Sequence, residues 1–216
     1  MVVGIIGGTG PLGSGLALRL AAVGESVVIG SREAARAEQV VGELLAKWPG
    51  RDLDIRGSAN SDAGMADIVF VATPWESAVE TISALRDELE GRLVISVGNA
   101  LMKIGREFQA VVPPRGSVAA LVQATLPRSR VAAAGHHLPA SALSDLDGHL
   151  DSDVLVCADD PEVGKEAIEL IVKIDGLRAF YAGSLASAAT IEAFTAVLVT
   201  LNIKNKAHTT LKIAGL

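Results

Sequence analysis

Apolar runs rich in valine and isoleucine alternate along the chain with segments that have the period of a helix. Few polar residues interrupt these runs, which is typical of strands covered on both faces of a parallel sheet. The predicted strands are residues 2–6, 26–30, 67–72, 93–98, 130–135 and 153–158. The predicted helices are residues 12–23, 34–47, 76–89 and 161–173.

Repeated alternation of strand and helix predicts the fold class. We expect an α/β fold, a Rossmann-type doubly wound parallel sheet with a small C-terminal α/β or helical lobe. Residues 111–117, "VVPPRGS", are the most linker-like stretch, and we interpret them as a loop within one domain.

The segment "LASAATIEAFTAVLVTLN", residues 185–202, has a different pattern. It is apolar around most of its circumference, so burial of one helix face alone does not explain it. Two interpretations remain: a central buried helix, or a helix packed against a second subunit. We favour the second, because a chain this short has little left to bury a late helix on all sides.

Composition excludes several classes of protein. Half of the 216 residues are apolar and 20% are charged, which predicts a globule with a substantial core. An aromatic content of 3% and a net charge of −6 argue against nucleic-acid binding. The single cysteine, Cys157, lies in the apolar run "DVLVCA" and is predicted to be a core residue, so no disulfide or metal site is expected.

Location also follows from the pattern. The apolar N-terminus has no basic leader, and no stretch is expected to be both long and apolar enough to span a bilayer. The prediction is a cytoplasmic protein with no membrane partner.

The stretch "GGTGPLGSG", residues 7–15, contains the spacing G-x-G-x-x-G between a predicted strand and a predicted helix. Gly8 permits the tight turn, Gly10 admits a pyrophosphate against the backbone, and Gly13 lets the helix pack closely on the strand. Thr9 adds a hydroxyl, and the helix amides face the anion. We therefore predict a dinucleotide site, the alternative being an ordinary glycine-rich turn.

The end of the second strand, "IGSREAAR", indicates which dinucleotide binds. An NAD site would place Asp or Glu there to bind the ribose 2'-hydroxyl. Instead Ser31 and Arg32 occupy the tip, and Arg36 follows one helical turn later, while Glu33 is expected to point away. A hydroxyl and two guanidiniums suit a 2'-phosphate, so NADP is predicted. The alternative is a solvated helix start.

Two further segments follow predicted strands. "ATPWES", residues 72–77, is expected to border the cofactor through Thr73, Pro74 and Trp75, although Trp75 could instead only cover a helix face. "AGHHLPA", residues 134–140, supplies His136 and His137, of which at most one is expected to face a substrate. The alternative is that they are loop histidines that cap local backbone.

Familiar catalytic devices are otherwise missing. Leu185 stands where a Tyr-x-x-x-Lys pair beginning at Tyr181 would need lysine, and there is no Gly-x-Ser-x-Gly nucleophile elbow. The histidines have no metal-ligand spacing with carboxylates.

Taken together, these stretches resemble a known family over nearly the whole chain. "IIGGTGPLGSGLALRLA", "VVIGSREAAR", "ATPWESA", "AGHHLPA", "VLVCADDPE", "IDGLRAFYAGSL" and "NKAHTTLKIAGL" occur in the order seen in the NADPH-dependent reductases of the deazaflavin coenzyme F-420. The resemblance implies reversible hydride transfer between NADP(H) and the deazaflavin by a homodimer. Such transfer needs two rings held close together and no strong general acid.

The resemblance also implies an organisation. Residues 1–140 would form the NADP-binding Rossmann domain, and residues 141–216 a small lobe that contributes to the deazaflavin site and the dimer interface. His136 and His137 would border the reacting rings as catalytic residues. The residues expected to bind cofactor are Gly8, Thr9, Gly10, Pro11, Leu12, Gly13, Ser31, Arg32, Arg36, Thr73, Pro74, Trp75, Ala78, Asn99, Leu138 and Pro139.

One departure and one charge pattern concern the deazaflavin. Where many relatives are expected to have an arginine, this chain has Ala188 and Ala189, so an anion or ring contact would be absent. Lys204, Lys206 and Lys212 make the C-terminus basic, and they are candidates for binding the anionic coenzyme tail.

Two alternative functions share the first domain. One is an NADP-dependent dehydrogenase or imine reductase of a small metabolite, which would normally need a longer second domain than the roughly 80 residues after His137. The other is a non-catalytic NADP-sensing module.

Overall fold

The computed structural model describes residues 1–216, in which ten strands and eight helices follow one another. The strands are β1 (Val2–Ile6), β2 (Ser26–Ser31), β3 (Ile55–Ala59), β4 (Ile68–Val71), β5 (Leu93–Ser96), β6 (Leu101–Ile104), β7 (Glu107–Ala110), β8 (Arg130–Ala133), β9 (Ser152–Ala158) and β10 (Leu177–Tyr181). The helices are α1 (Pro11–Ala22), α2 (Ala34–Lys47), α3 (Asn60–Gly64), α4 (Trp75–Ser83), α5 (Val118–Thr125), α6 (Ala140–Leu143), α7 (Pro161–Ile171) and α8 (Leu185–Asn205).

Eight strands form one sheet in the order β10-β9-β8-β5-β4-β1-β2-β3. All neighbouring pairs are parallel except β8 and β9, which are antiparallel. In register, Val3 of β1 lies between Val27 of β2 and Ile68 of β4. Chain order reverses across β1 and β4, the arrangement that opens a crevice at the carboxyl ends of the strands. The prediction of a Rossmann-type doubly wound sheet is confirmed.

Both faces of the sheet are buried. Val3 and Ile5 of β1 belong to one core cluster and Ile6 to the other, and all three side chains are fully buried. Successive side chains of a strand point to opposite faces, so a strand covered on both sides must be apolar throughout. This is why the apolar runs in the sequence predicted strands correctly.

Elements that were not predicted have weaker apolar patterns. β3 reads "IRGSA" and is an edge strand, and β6 and β7 form a separate antiparallel hairpin whose side chains are mostly exposed. β10, α3, α5 and α6 are also short. The predicted helix 76–89 ends at Ser83 and continues as turns. Residues 111–117 lie in neither helix nor strand, as predicted.

The C-terminal part of the chain continues the same sheet. β9 pairs with β8 through Ala132–Ala158 and Ala133–Cys157, and β10 pairs with β9. Strands on both sides of the expected boundary between residues 140 and 141 therefore share hydrogen bonds. The division into a Rossmann domain and a lobe stays a prediction.

Helix α8 packs against β7, α5, β9 and β8. By length and composition it could cross a membrane, with a mean hydropathy of 1.5 over 18 residues, so the expectation that no stretch qualifies is wrong. One third of that window is buried within the chain, and core helices of soluble proteins meet the same criterion. Phe194, Val197 and Leu201 of this helix remain 41–50% exposed.

Candidate functional site

A cleft of about 1100 Å³ lies at the carboxyl ends of β1–β5, where the chain order reverses. Its walls come from the segments that follow each of these strands, beginning with the glycine turn after β1. The volume is in the range of ligand and cofactor sites. The topology therefore places the predicted motifs around one cavity.

The glycine turn is held by the strands on both sides. The backbone N–H of Gly8 donates to the carbonyl oxygens of Ile5 and Gly30, and a Cβ on Gly13 would lie 2.6 Å from Cα of Gly8. By contrast, a Cβ on Gly10 would meet no atom closer than 4.0 Å. Gly8 and Gly13 thus permit close packing of turn and helix, while Gly10 leaves open space where a ligand could approach the backbone.

Helix α1 begins directly at this open space with free donors. Gly10 is the N-cap and provides no side-chain cap, Pro11 takes the first helical position, and the first turn has no acidic residue. The amides of Leu12 and Gly13 precede the first intrahelical bond, from Ser14 N–H to the Gly10 carbonyl. Such a helix end favours an anion through its amides and its dipole.

The end of β2 carries the predicted cations. Ser31, Arg32 and Arg36 all border the cleft, and Arg36 Nη1 donates to Gln39 Oε1 at 3.2 Å. Neither arginine takes part in an ion pair, so both guanidiniums are available to a phosphate. Glu33 also borders the cleft, and the expectation that its side chain points away stays a prediction.

Buried polar atoms without partners mark the other end of the cleft. Thr73 Oγ1, Trp75 Nε1 and Asn99 Oδ1 are each buried and make no hydrogen bond within the chain. All three residues line the cleft. An unpaired buried polar atom is costly, so these atoms call for a ligand or water with complementary donors and acceptors. An acceptor and two possible donors are the groups with which a carboxamide such as that of nicotinamide would pair.

Most residues predicted to bind cofactor line this cleft. They are Thr9, Gly10, Pro11, Leu12, Gly13, Ser31, Arg32, Arg36, Thr73, Pro74, Trp75 and Asn99. Gly8, Ala78, Leu138 and Pro139 do not: Gly8 is buried within the turn, Ala78 is buried in α4, and Leu138 packs in the core. For these four, binding stays a prediction.

The two histidines lie under the surface and not in the cleft. His136 and His137 are 3% and 5% exposed. His137 Nε2 donates to the carbonyl oxygen of Asp153 at 2.7 Å, and burial lowers its pKa. Burial, with a smaller effect of His137, lowers the pKa of His136 to about 3, so its ring is neutral near pH 7. Direct contact of either ring with a ligand is not what this geometry favours, and their catalytic role stays a prediction.

The segment after the histidines is attached to helix α1, which follows the glycine turn. Arg19 of α1 is 8% exposed, and its guanidinium donates to the carbonyl oxygens of Leu143, Ala142 and Gly148 at 2.8–3.0 Å and to that of Asp145. A Cβ on Gly15 would lie 2.7 Å from the Leu143 Cβ, so α1 and α6 pack in close contact. This clamp fixes residues 142–148 relative to the glycine turn.

Sequence reasoning missed two contributors to the site. Gly7 has a left-handed φ of 69°, and its N–H donates to Asn60 Oδ1 at 3.1 Å. Both residues line the cleft. Asn60 lies 53 residues further along the chain, and no local pattern connects it with the turn. Gly7 could have been noticed because it directly follows β1 and begins the glycine-rich stretch.

Two of the C-terminal lysines that were expected to bind the deazaflavin tail form ion pairs within the chain. Lys204 pairs with Glu107 at 2.6 Å and Lys212 with Asp151 at 2.5 Å, which leaves them less available to an anionic tail. Ala188 is fully buried in the core, so this position does not reach a ligand.

Comparison with known proteins agrees with this geometry. A family model described as "NADP oxidoreductase coenzyme F420-dependent" matches residues 2–100. The "F420-dependent NADP reductase" of Methanocaldococcus jannaschii is 41% identical over 215 residues, which cover 97% of this chain and 96% of that protein.

Two solved structures share the fold. A protein from Arthrobacter sp. FB24, provisionally described as an F420-dependent NADP reductase, has a TM-score of 0.82 at 23% identity and covers 99% of this chain and 98% of its own. An imine reductase from Bacillus cereus has a TM-score of 0.60 at 19% identity, and the match covers 88% of this chain but only 57% of that longer protein. The 41% identity over nearly the full length shows that the chain belongs to the family of F420-dependent NADP reductases.

Proposed function

We propose that this protein transfers a hydride reversibly between NADP(H) and the deazaflavin coenzyme F-420. The observation that carries the proposal is the full-length relative named an F420-dependent NADP reductase. The cleft supports it independently, because a bare glycine turn, two unpaired arginines and a set of unpartnered polar atoms lie along one cavity.

At the phosphate end, the chain supplies backbone donors and positive charge. The amides of Leu12 and Gly13 would bind the pyrophosphate, with the space at Gly10 allowing close approach. Arg32 and Arg36 would grip the 2'-phosphate through charge-assisted hydrogen bonds. Glu33 between them would disfavour phosphate binding, so the two guanidiniums must outweigh one carboxylate.

At the other end of the cleft, the chain would orient the nicotinamide ring and shield it from water. Asn99 Oδ1 can accept from a carboxamide N–H, and Thr73 Oγ1 and Trp75 Nε1 can donate to its oxygen. When both coenzymes are bound, the nicotinamide and deazaflavin rings supply the hydride chemistry themselves. The residues then need only to hold the rings face to face and to exclude water.

The direct test mixes the protein with NADPH and oxidised coenzyme F-420 and follows loss of the deazaflavin absorbance. We expect turnover with NADPH and much less with NADH. A parallel reaction with a cyclic imine should show no NADPH oxidation. Binding of NADPH with no reduction of the deazaflavin would overturn the proposal and favour a sensing module, whereas reduction of the imine would favour an imine reductase.

We further propose that α8 forms the centre of a homodimer in the cytoplasm. Phe194, Val197 and Leu201 form an exposed apolar stripe on α8, and the hairpin β6–β7 packed beside it exposes Met102 and Ile104. Contiguous apolar surface of this kind is typical of subunit interfaces.

Sedimentation of the wild type and of Val197→Glu tests the dimer. The wild type is expected to sediment as a dimer and the variant as a monomer, with Glu169→Gln on the exposed side of α7 as the control. A monomeric wild type, or membrane association of the wild type, would contradict the proposal.

A further inference from the structure

Glu192 is a carboxylate placed in the middle of the apolar helix α8, and nothing in the proposed binding of NADP(H) uses it. It is 3% exposed, although a buried carboxylate is costly unless it is hydrogen-bonded. Its position therefore needs an explanation in terms of the groups it contacts.

One set of contacts lies at the start of α5. Glu192 Oε2 accepts from the Val118 N–H at 2.8 Å, and Oε1 accepts from the Ala119 N–H at 3.1 Å. Ser117 Oγ accepts from the next amide, Ala120, at 2.9 Å. Glu192 thus completes the N-terminal cap of α5 from another helix, and its charge is favourable at the positive end of the dipole.

A second contact brings the carboxylate close to His136. His136 Nε2 is 3.9 Å from Glu192 Oε1, and neither ring nitrogen of His136 has a hydrogen-bond partner. The His136 ring is completely enclosed. The Glu192 carboxylate therefore packs close to this enclosed ring without a hydrogen bond to it.

Both contacts converge on Asn99 in the cleft. The Asn99 side-chain amide donates to the His136 carbonyl oxygen at 2.8 Å. A Cβ on Gly98, the neighbour of Asn99, would lie 2.9 Å from Val118 Cγ1, so the first residue of α5 packs directly beneath the cleft wall. Val118 thus packs on the residue that precedes Asn99, and His136 holds the Asn99 side chain.

We propose that Glu192 is a positioning residue that holds Val118 and His136 and thereby fixes the Asn99 amide at the ring end of the cleft. This deepens the proposed function and rests on it, because it assigns Asn99 Oδ1 to the nicotinamide carboxamide. Glu192 acts through these residues and does not touch the coenzymes. The glycine turn and the arginines lie in other segments and stay unchanged when Glu192 is replaced.

The test compares Glu192→Ala, Glu192→Gln, Asn99→Ala and the double variant with Ala at both positions. We expect Glu192→Ala to lower kcat at least tenfold while the Kd for NADP changes less than threefold. Glu192→Gln retains an acceptor oxygen and should recover most of kcat. The double variant should be no slower than Asn99→Ala alone, because residues that act through one group are not additive. Glu169→Gln is the matched control, a carboxylate on the exposed side of α7.

A second readout does not require turnover. The NMR signals of the Asn99 side-chain amide should shift when NADP binds to the wild type, and this shift should be lost in Glu192→Ala and retained in Glu192→Gln. Unchanged kcat in Glu192→Ala, additive effects with Asn99→Ala, or an unaltered Asn99 signal would overturn the proposal. If the alanine variant does not fold, the same comparisons are made with Glu192→Gln, which should then show a smaller loss in kcat that is again absent in the Asn99→Ala background. Failure of the wild type to reduce coenzyme F-420 would instead overturn the proposed function. The NMR comparison would then still test whether Glu192 positions Asn99, because it requires only NADP binding.

Discussion

Replacing Arg32 with alanine is expected to weaken NADPH binding about tenfold without changing NADH binding. Arg32 borders the cleft at the end of β2 and makes no ion pair within the chain, so its guanidinium can be given entirely to a 2'-phosphate. The unphosphorylated dinucleotide lacks this group and loses nothing. The change should therefore appear in the ratio of the two affinities, not in the fold.

The magnitude follows from the exposure of the site. A hydrogen bond between charged groups contributes about 1.5–3 kcal/mol, and the lower end applies because Arg32 is exposed to solvent and its charge is screened. At about 1.4 kcal/mol per factor of ten, the loss is about tenfold. Removing Arg36 as well should increase it. Raising the ionic strength should reduce the preference of the wild type for NADPH, since screening weakens exposed charges.

The assay is calorimetric titration of both dinucleotides into wild type, Arg32→Ala and Arg56→Ala. Arg56 lies on the neighbouring strand β3, is exposed and does not border the cleft. Arg56→Ala therefore removes the same charge as Arg32→Ala without removing a group from the cleft. An unchanged ratio of NADPH to NADH affinity in Arg32→Ala, or an equal effect of Arg56→Ala, would refute the assignment of the 2'-phosphate to this tip.

Three further outcomes are expected. Gly13→Ala should abolish NADP(H) binding and lower Tm, because its Cβ would lie 2.6 Å from a backbone atom. The control Gly42→Ala, in open space on α2, should raise stability slightly. Calorimetry measures the binding, and thermal unfolding measures the stability. Burial, with a smaller effect of Glu192, raises the pKa of Cys157 to about 11, so an aromatic disulfide reagent should label it only after denaturation. Burial raises the pKa of Glu192 to about 7, above its unfolded value, so the folded state binds the extra proton and the free energy of unfolding should fall from pH 5 to pH 8 relative to Glu192→Gln. His136, which faces the carboxylate, has a pKa of about 3 and stays neutral in the folded state over this range. It titrates only in the unfolded state of either protein, so it cancels in that difference. A pH-independent difference in urea unfolding would contradict the argument.

The parts of the site that sequence predicted are those that depend on local chemistry. The turn from Gly8 to Gly13 needs small residues at fixed spacing, and the tip at Ser31 and Arg32 follows directly from the end of a strand. Both kinds of information lie within a few residues, so one sequence is enough to locate them. The apolar runs predicted the sheet for the same reason, since every position of a doubly covered strand must be apolar.

The parts that it did not predict depend on contacts between distant segments. His136 and His137 follow the carboxyl end of β8, but residues of α8 and β9 pack around their rings and enclose them. Asn60 reaches the glycine turn from α3, and Glu192 reaches α5 from the far end of the chain. The exposed hairpin β6–β7 has no continuous apolar run, so the apolar pattern did not predict its strands.

The Arg19 clamp has a consequence for motion. Separating α1 from residues 142–148 would break the hydrogen bonds between the Arg19 guanidinium and four carbonyl oxygens. A hinge at this point is therefore expensive, and the frame around the phosphates should be as rigid before loading as after it. The coenzymes would then bind to and dissociate from a preorganised site, and little conformational entropy of the protein would be lost on binding.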